Sequence, residues 1–515
     1  MKVIRQALTA MLLLASTAAM PAGPVTVDWA MVARIREEGL QRSRVMDLES
    51  YMTDVLGARL TMSRDMQRAQ RWASAEMTRI GLVNVAFEPF MEYGVTWDNE
   101  YVSLHLLEPD YTPMTGYPIA HTNGTNGRVV AEAVIVDVQS RADLEKYRGT
   151  LRGKAVLVTP PVQINLEAMA AGTPRLTDSA LAALEHVVIV PPRVVPPRAV
   201  RNPDVLTAVE KTAFYAAEGV AVVLQSEGGG VGFVRGFSRP GSREDFYARA
   251  GMLASPAIVA VTPEHYNRMY RIVSRGLPVK VEVEVRNRIG ERVEQAANII
   301  GEIPGSDLKD EVVMIGAHFD TWHASPNSSD NTSGVAVALE AARILKAVGA
   351  KPRRTIRVAL WNGEEQGIWG SRAYVRQHFG SPRDSLNPPK PAYDKFSAYF
   401  NQDYGAGQYR GIYLQGNESA RAMLTAWMEP FRDFGMTAVS NQSVGSTDHV
   451  PFDDAGLPGF QFIQDRLPGS AGHTNLDFLE TINPNDLMKN AVVMASYAYH
   501  AAMAESRVPR KAFVK

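Results

Sequence analysis

Cysteine is absent from the 515 residues. That absence excludes disulfides, thiolate metal sites and cysteine nucleophiles together. Any transition metal must therefore be held by histidine, aspartate and glutamate. An excess of one charge is lacking too: 54 Lys and Arg face 55 Asp and Glu, a formal net charge of -1. No basic field argues for a nucleic-acid partner or an anionic membrane surface. Beyond the N-terminus no apolar run is long enough to span a bilayer, so no stable membrane insertion is expected. What is present is an ordinary globular balance, 45% hydrophobic and 21% charged, with ten histidines. The length suits two or three domains, each able to bury a core.

The chain opens Met1-Lys2-Val3-Ile4-Arg5, then runs through Ala10-Met11-Leu12-Leu13-Leu14-Ala15 to small residues between Ser16 and Ala22. A basic start, a short apolar stretch and a small-residue exit form the pattern of a signal peptide. Residues 1–22 are read as that peptide, cleaved between Ala19 and Ala22, and the mature protein is expected to be secreted or periplasmic.

Residues 27 to 82 read as helical, with Ser63 as a cap for a helix ending at Gly81. Strands are expected at Val83–Phe87 and Tyr101–Leu104. From about residue 120 the pattern changes to short buried strands at Val134–Val138, Ala155–Thr159 and Val220–Leu224. An amphipathic helix precedes the last of these, from Leu206 to Glu218, and a proline-rich arm runs from Val190 to Pro203. From Ala297 strands and helices alternate: Val312–Ala317, Ser333–Val348, Thr355–Trp361, Gly370–His378 and Phe396–Phe400. Such alternation predicts an α/β fold with a mainly parallel mixed sheet sandwiched by helices. The boundaries drawn are 23–119 for the first part of the main domain, 120–285 for an insert, and 286–515 for the remainder.

Ligands in such sheets bind at the carboxyl ends of strands. One strand runs into His318-Phe319-Asp320, the next into Asn362-Gly363-Glu364-Glu365, the third into Asn401-Gln402-Asp403. Asp330 stands before a helix, and His473 lies in the loop Gly472-His473-Thr474-Asn475. Singly, each has a bland reading: a polar strand cap, a solvated acidic pair, a helix N-cap. Together they cluster after apolar strands. A two-zinc site needs a bridging group and end ligands for each ion. His318, Asp330, Glu365, Asp403 and His473 supply two imidazoles, two terminal carboxylates and a bridge. Glu364 remains as a general base. Asp320, two residues from His318, faces the same side if the strand continues, and is expected to accept the His318 ring hydrogen.

The stretches "GAHFDTW", "SSDNTSGVAVALEAARIL", "RRTIRVALWNGEEQGIWGSRAY", "AYFNQDYG", "GSTDHVPFDDAGLPGFQFIQD" and "GHTNLDF" occur in that order from about residue 297 to 500. Together they resemble the co-catalytic zinc exopeptidases, a group that includes leucyl-type aminopeptidases, glutamate carboxypeptidases and carboxypeptidase Q. The order of the whole chain looks closest to bacterial relatives of carboxypeptidase Q. The block to about residue 285 resembles a β-rich protease-associated domain. The resemblance implies two zinc ions per chain: His318 and Asp403 on one, Glu365 and His473 on the other, with Asp330 bridging. It implies Glu364 as base, a metal-bridging water, hydrolysis of a terminal peptide bond, and a cis peptide at Asp330-Asn331. Asp448 is implied as a substrate-binding residue. Its neighbour His449 is read as structural, and His323 as a loop residue. A peptide substrate is the expected partner, and dimerisation rests on the resemblance alone. Two other readings are a glutaminyl cyclase-like transferase and a non-catalytic, receptor-like binding protein.

Overall fold

The computed structural model describes residues 25–171, 174–187, 202–227, 230–241, 243–467 and 472–511. The expected signal peptide and nearly all of the proline-rich arm lie outside the described residues.

Two eight-stranded sheets organise the described chain. The first has the order Val83–Gly94, Glu294–Ile303, Arg354–Trp361, Leu308–His318, Phe396–Asn401, Gly459–Gln464, Tyr409–Tyr413, Ala438–Ser440. Its four central strands, Arg354–Trp361 to Gly459–Gln464, run parallel, and antiparallel pairs flank them. Both faces of this centre are covered. Val313, Ile315 and Ala317 pack into the core on one side, while Met314 packs with Trp361, Tyr374 and Phe452 on the other. That split is the period-two alternation of a strand covered on both faces.

The helix Ser333–Ala347 is apolar on nearly every side and is buried accordingly, with Val337, Leu339, Ile344 and Leu345 at 0% exposure. Truncating one such leucine to alanine costs about 2–5 kcal/mol. Pro484–Met503, Trp29–Gln41 and Arg64–Ile80 share that core. As the sequence predicts, Ser63 caps the last of these by accepting from the Met66 N–H, and Gly81 ends it at φ 94°.

The second sheet has the order Thr112–Pro113, Trp97–Glu108, Lys280–Ile289, Val129–Ile135, Ala155–Leu157, Val222–Gln225, Ile258–Val261, Gly116–Pro118. It carries its own core, with Val281, Val283, Val285, Leu157 and Val259 buried. The boundary drawn at residue 120 cuts through it. Trp97–Glu108 pairs antiparallel with Lys280–Ile289 from Trp97↔Ile289 to Glu108↔Lys280. The strand entering this unit is thus zipped to the strand leaving it, and the unit runs from Trp97 to Ile289.

Candidate metal centre

Parallel neighbours deliver their ends to one edge, and the register fixes which residues arrive there. Gly316 pairs with Ala359 on one side and Asn401 on the other. His318, the Glu364-Glu365 turn and Asp403 therefore emerge side by side. Asp330 reaches the same edge from the irregular turn Ser328–Thr332, and the Asp330-Asn331 peptide is cis. Asn331 fastens this turn: its Nδ2 donates to the Gln402 carbonyl at 2.7 Å, and its Oδ1 accepts from the Gly334 N–H at 3.1 Å. A Cβ on Gly334 would sit 2.8 Å from the Gln402 oxygen, so the helix start approaches too closely for any side chain.

All five residues expected to be ligands converge. His318 Nε2 lies 3.0 Å from Asp403 Oδ1 and 3.4 Å from Asp330 Oδ1. His473 Nε2 lies 3.0 Å from Asp330 Oδ2 and 2.8 Å from Glu365 Oε2. Asp330 thus turns one carboxylate oxygen to each imidazole. His473 adopts φ 61°, and the preceding Gly472 passes so close that a Cβ there would lie 3.0 Å from Asp330 Oδ2. Donor atoms of His318, Asp330 and Glu365 fall within 4.8 Å of one another, as do those of His318, Glu364 and Asp403.

Asp320 does not take the expected place. His318 Nδ1 lies 2.9 Å from the Asp320 carbonyl oxygen but 3.9 Å from its carboxylate. A carbonyl can only accept, so Nδ1 carries a hydrogen, and Nε2 is the nitrogen left to face the Asp403 and Asp330 carboxylates. The Asp320 carboxylate instead accepts from the backbone N–H of Glu364 at 3.1 Å, that of Glu365 at 3.2 Å, and the Thr61 hydroxyl at 3.0 Å. It fixes the acidic turn rather than the histidine. The regular strand ends at His318, so alternation no longer governs where Asp320 points.

A parallel support went unread in the sequence. Asp477 accepts from the Ser329 N–H at 2.9 Å and the Asp330 N–H at 3.2 Å. It sits four residues after His473, within the stretch "GHTNLDF", and that proximity was the available signal.

Electrostatics show a centre built for positive charge. Four carboxylates and two imidazoles crowd together, and no lysine or arginine is paired with any of them among the described residues. Without cations, protons must supply the balance. Burial disfavours the His473 imidazolium, but Glu365 and Asp330 overcome it and raise the pKa to about 11. Burial works against the His318 cation too, and the Asp403 charge reverses that, holding it well above the usual imidazole range. Burial would raise Asp330, yet His473 and His318 hold it far below the ordinary carboxylate value. Burial, aided by the Asp330 charge, pushes Glu365 up to about 7. Burial drives Glu364 well above its usual value. The buried Glu365 Oε1 has no hydrogen-bond partner. An orphaned carboxylate oxygen beside two imidazole nitrogens that converge on shared carboxylates is a donor set that fits divalent metal.

The remaining sequence candidates fall elsewhere. Asp448 is 0% exposed, bonded to the Ser371 hydroxyl, and burial pushes its pKa up to about 8. It lies beneath the centre, with no surface to offer a substrate. His449 is buried against Gln415 and the Val444 carbonyl. His323 is packed edge-on against Trp97, with Nε2 at 2.7 Å from the Pro118 carbonyl. Local pattern gave no hint of the cover from the second unit. Its residues 232–237 run beside the His473 loop: Val234 N–H donates to Asn475 Oδ1 at 2.7 Å, Asn475 N–H to the Val234 carbonyl at 3.0 Å. The Phe237 ring stands edge-on to His473 at 5.8 Å.

Residues 298–498 match Peptidase family M28. Carboxypeptidase Q of Mus musculus is 24% identical over 483 residues, spanning 92% of this chain and 88% of its own. Among solved structures, a Peptidase M28 precursor from Shewanella amazonensis superposes with a TM-score of 0.66 at 21% identity, covering 93% of this chain and 98% of its own. BSAP, a zinc aminopeptidase from Bacillus subtilis, gives 0.57 at 17% identity, covering 92% and 98%. The fold matches across both sheets, and the matched family region holds every one of the converging donors. The region 298–498, with its converging donors, matches Peptidase family M28, and the chain is a metallopeptidase.

Proposed function

We propose that this chain is an exported exopeptidase that holds two zinc ions and hydrolyses a peptide bond near a chain end. The observation that carries this reading is Asp330, whose two oxygens face His318 Nε2 at 3.4 Å and His473 Nε2 at 3.0 Å. A carboxylate shared in this way suits two cations about 3.5–4 Å apart. His318 and Asp403 would hold one ion, Glu365 and His473 the other. Imidazole and carboxylate donors without sulfur fit zinc. When bound, two such ions supply Lewis acidity to a scissile carbonyl and to the attacking water.

The chain's own residues do the rest. Glu364 projects from the turn beside the His318–Asp403 half, and burial keeps its carboxyl basic enough to take a proton from the attacking water. It then gives that proton to the leaving amine. Asp320 holds the backbone of Glu364 and Glu365, so base and ligand keep a fixed spacing. The pattern of residues 1–22 supports export, and no described helix is long and apolar enough to cross a membrane. We read the unit from Trp97 to Ile289 as a protease-associated insert, restricting access from the His473 side. The matched family favours neither the cyclase nor the receptor-like reading. A panel of N-blocked, C-blocked and free dipeptides, with and without chelator, tests the proposal. Cleavage of peptides with at least one free end, abolished by chelator and restored by zinc, is the expected result; chelator-insensitive cleavage would refute it.

A further inference from the structure

The sequence alone gave no group to recognise the end of a substrate. The structure offers one. Beside the centre, on the side of Asp403, lies a cleft of about 480 Å³ lined by Tyr404, Tyr413, Gln442, Ser443, Gln464 and Arg466, among others. That volume is in the range of small-ligand sites. Its wall is continuous with the metal centre. Tyr404 follows Asp403 directly; its N–H donates to Gln464 Oε1 at 3.2 Å and its hydroxyl to the Gly445 carbonyl at 2.6 Å. Two residues beyond Gly445, the Thr447 hydroxyl bonds to Asp403.

The charges around this cleft are unequal. Asp465 is fully buried and pairs with both Arg175, at 3.1 Å, and Arg410, at 3.2 Å. Arg175 also pairs with Asp486 at 2.7 Å. Arg466, next in the chain, has no hydrogen bond or ion pair with any described residue, and the cleft lining contains no acidic side chain. Its charge acts on both Tyr404 and Tyr413, opposing the burial that raises their phenol pKa values. An exposed, unpaired guanidinium facing a neutral polar cleft beside a peptidase centre is a receptor for an anion. Its planar fork matches a carboxylate. Remaining hydrated in the free protein, it waits there without the penalty of a buried unpaired charge.

We propose that Arg466 binds a carboxylate of the peptide substrate, so that this cleft is a subsite for the residue on the C-terminal side of the scissile bond. The inference rests on the peptidase reading and adds a substrate class to it: short peptides that present a carboxylate near the cut, either the free C-terminus or an acidic side chain.

The test uses the zinc-loaded full chain and three matched substrates: a neutral dipeptide, its C-terminal amide, and an amide with Asp or Glu as the second residue. The ratio of kcat/KM between a carboxylate-bearing substrate and the neutral amide is the readout. A charge-assisted pair of this kind predicts a preference of roughly 10- to 100-fold. Arg466→Gln should collapse that ratio toward one, chiefly through KM, and Arg466→Lys should keep part of it. Preference for the free dipeptide assigns the α-carboxylate; preference for the acidic amide assigns the side chain. Equal rates in the wild type, or a ratio unmoved by Arg466→Gln at equal zinc content, would overturn the subsite while leaving the peptidase reading intact. Failure of the wild type to cleave any of the three, or any longer peptide, would overturn both.

Discussion

The two imidazoles at the centre are held in opposite ways. His318 ends a strand in the middle of the larger sheet and its side chain is 1% exposed; His473 sits in a loop and its side chain is 35% exposed. The first is fixed by sheet register and by the Asp320 carbonyl. The second is fixed by the neighbouring unit, through Val234, Asn475 and Phe237. One half of the site is therefore a property of the peptidase fold, while the other depends on contact between the His473 loop and residues 232–237 of the second unit. Asp330 joins them. The second unit thus takes part in how the centre is assembled, and the halves are separable by experiment.

The largest effect should come from Glu364, which belongs to the buried half. Glu364→Gln should lower kcat by about 10²–10⁴-fold while metal content stays unchanged; intact turnover would remove the base assignment. Next comes the link between halves. Asp330→Ala should weaken both ions by more than about 100-fold, beyond the usual effect of changing a ligand's support. Metal analysis that finds only one ion lost would show the halves to be independent. Asn475→Ala sharpens the contrast from the exposed side, since it removes the side-chain hydrogen bonds to the Val234 N–H and the Gly232 carbonyl. It should weaken one ion about 10- to 100-fold and leave the other, a difference visible as two separated steps in a zinc titration.

The smallest expected effect concerns protons. In the metal-free protein His473 has its pKa raised to about 11 and His318 is raised as well, so both are cationic at neutral pH. Each must lose its Nε2 proton to ligate a metal. Apparent zinc affinity should therefore rise with pH, by about tenfold per unit for each proton displaced. Calorimetry in buffers of different ionisation enthalpy measures that release directly; binding without proton release would contradict the electrostatic picture.

Three of the strand-borne groups were legible because apolar strands ran straight into polar clusters, and an α/β order sends such ends to one edge. His318, Glu365 and Asp403 follow that rule. His473 does not: a loop has no periodicity, and only its resemblance to a known stretch marked it. Asp320 was misjudged because strand alternation was carried two residues past the end of the strand at His318. The boundary drawn at residue 120 cuts through the second sheet because Trp97–Glu108 has its partner at Lys280–Ile289, far away in sequence. Local pattern identifies a strand but says nothing of which distant strand it joins. Arg466 was invisible for a related reason. Its significance lies in the acids it lacks, and Asp465 is committed to Arg175 and Arg410 only in three dimensions.

The central claim is that two cations share Asp330. Titrating the metal-free chain with zinc, and counting bound ions by elemental analysis after dialysis, addresses it most directly. Two ions per chain in the wild type and weakened binding of both in Asp330→Ala is the predicted result. A wild type that saturates with one ion, or that binds two regardless of Asp330, would contradict it.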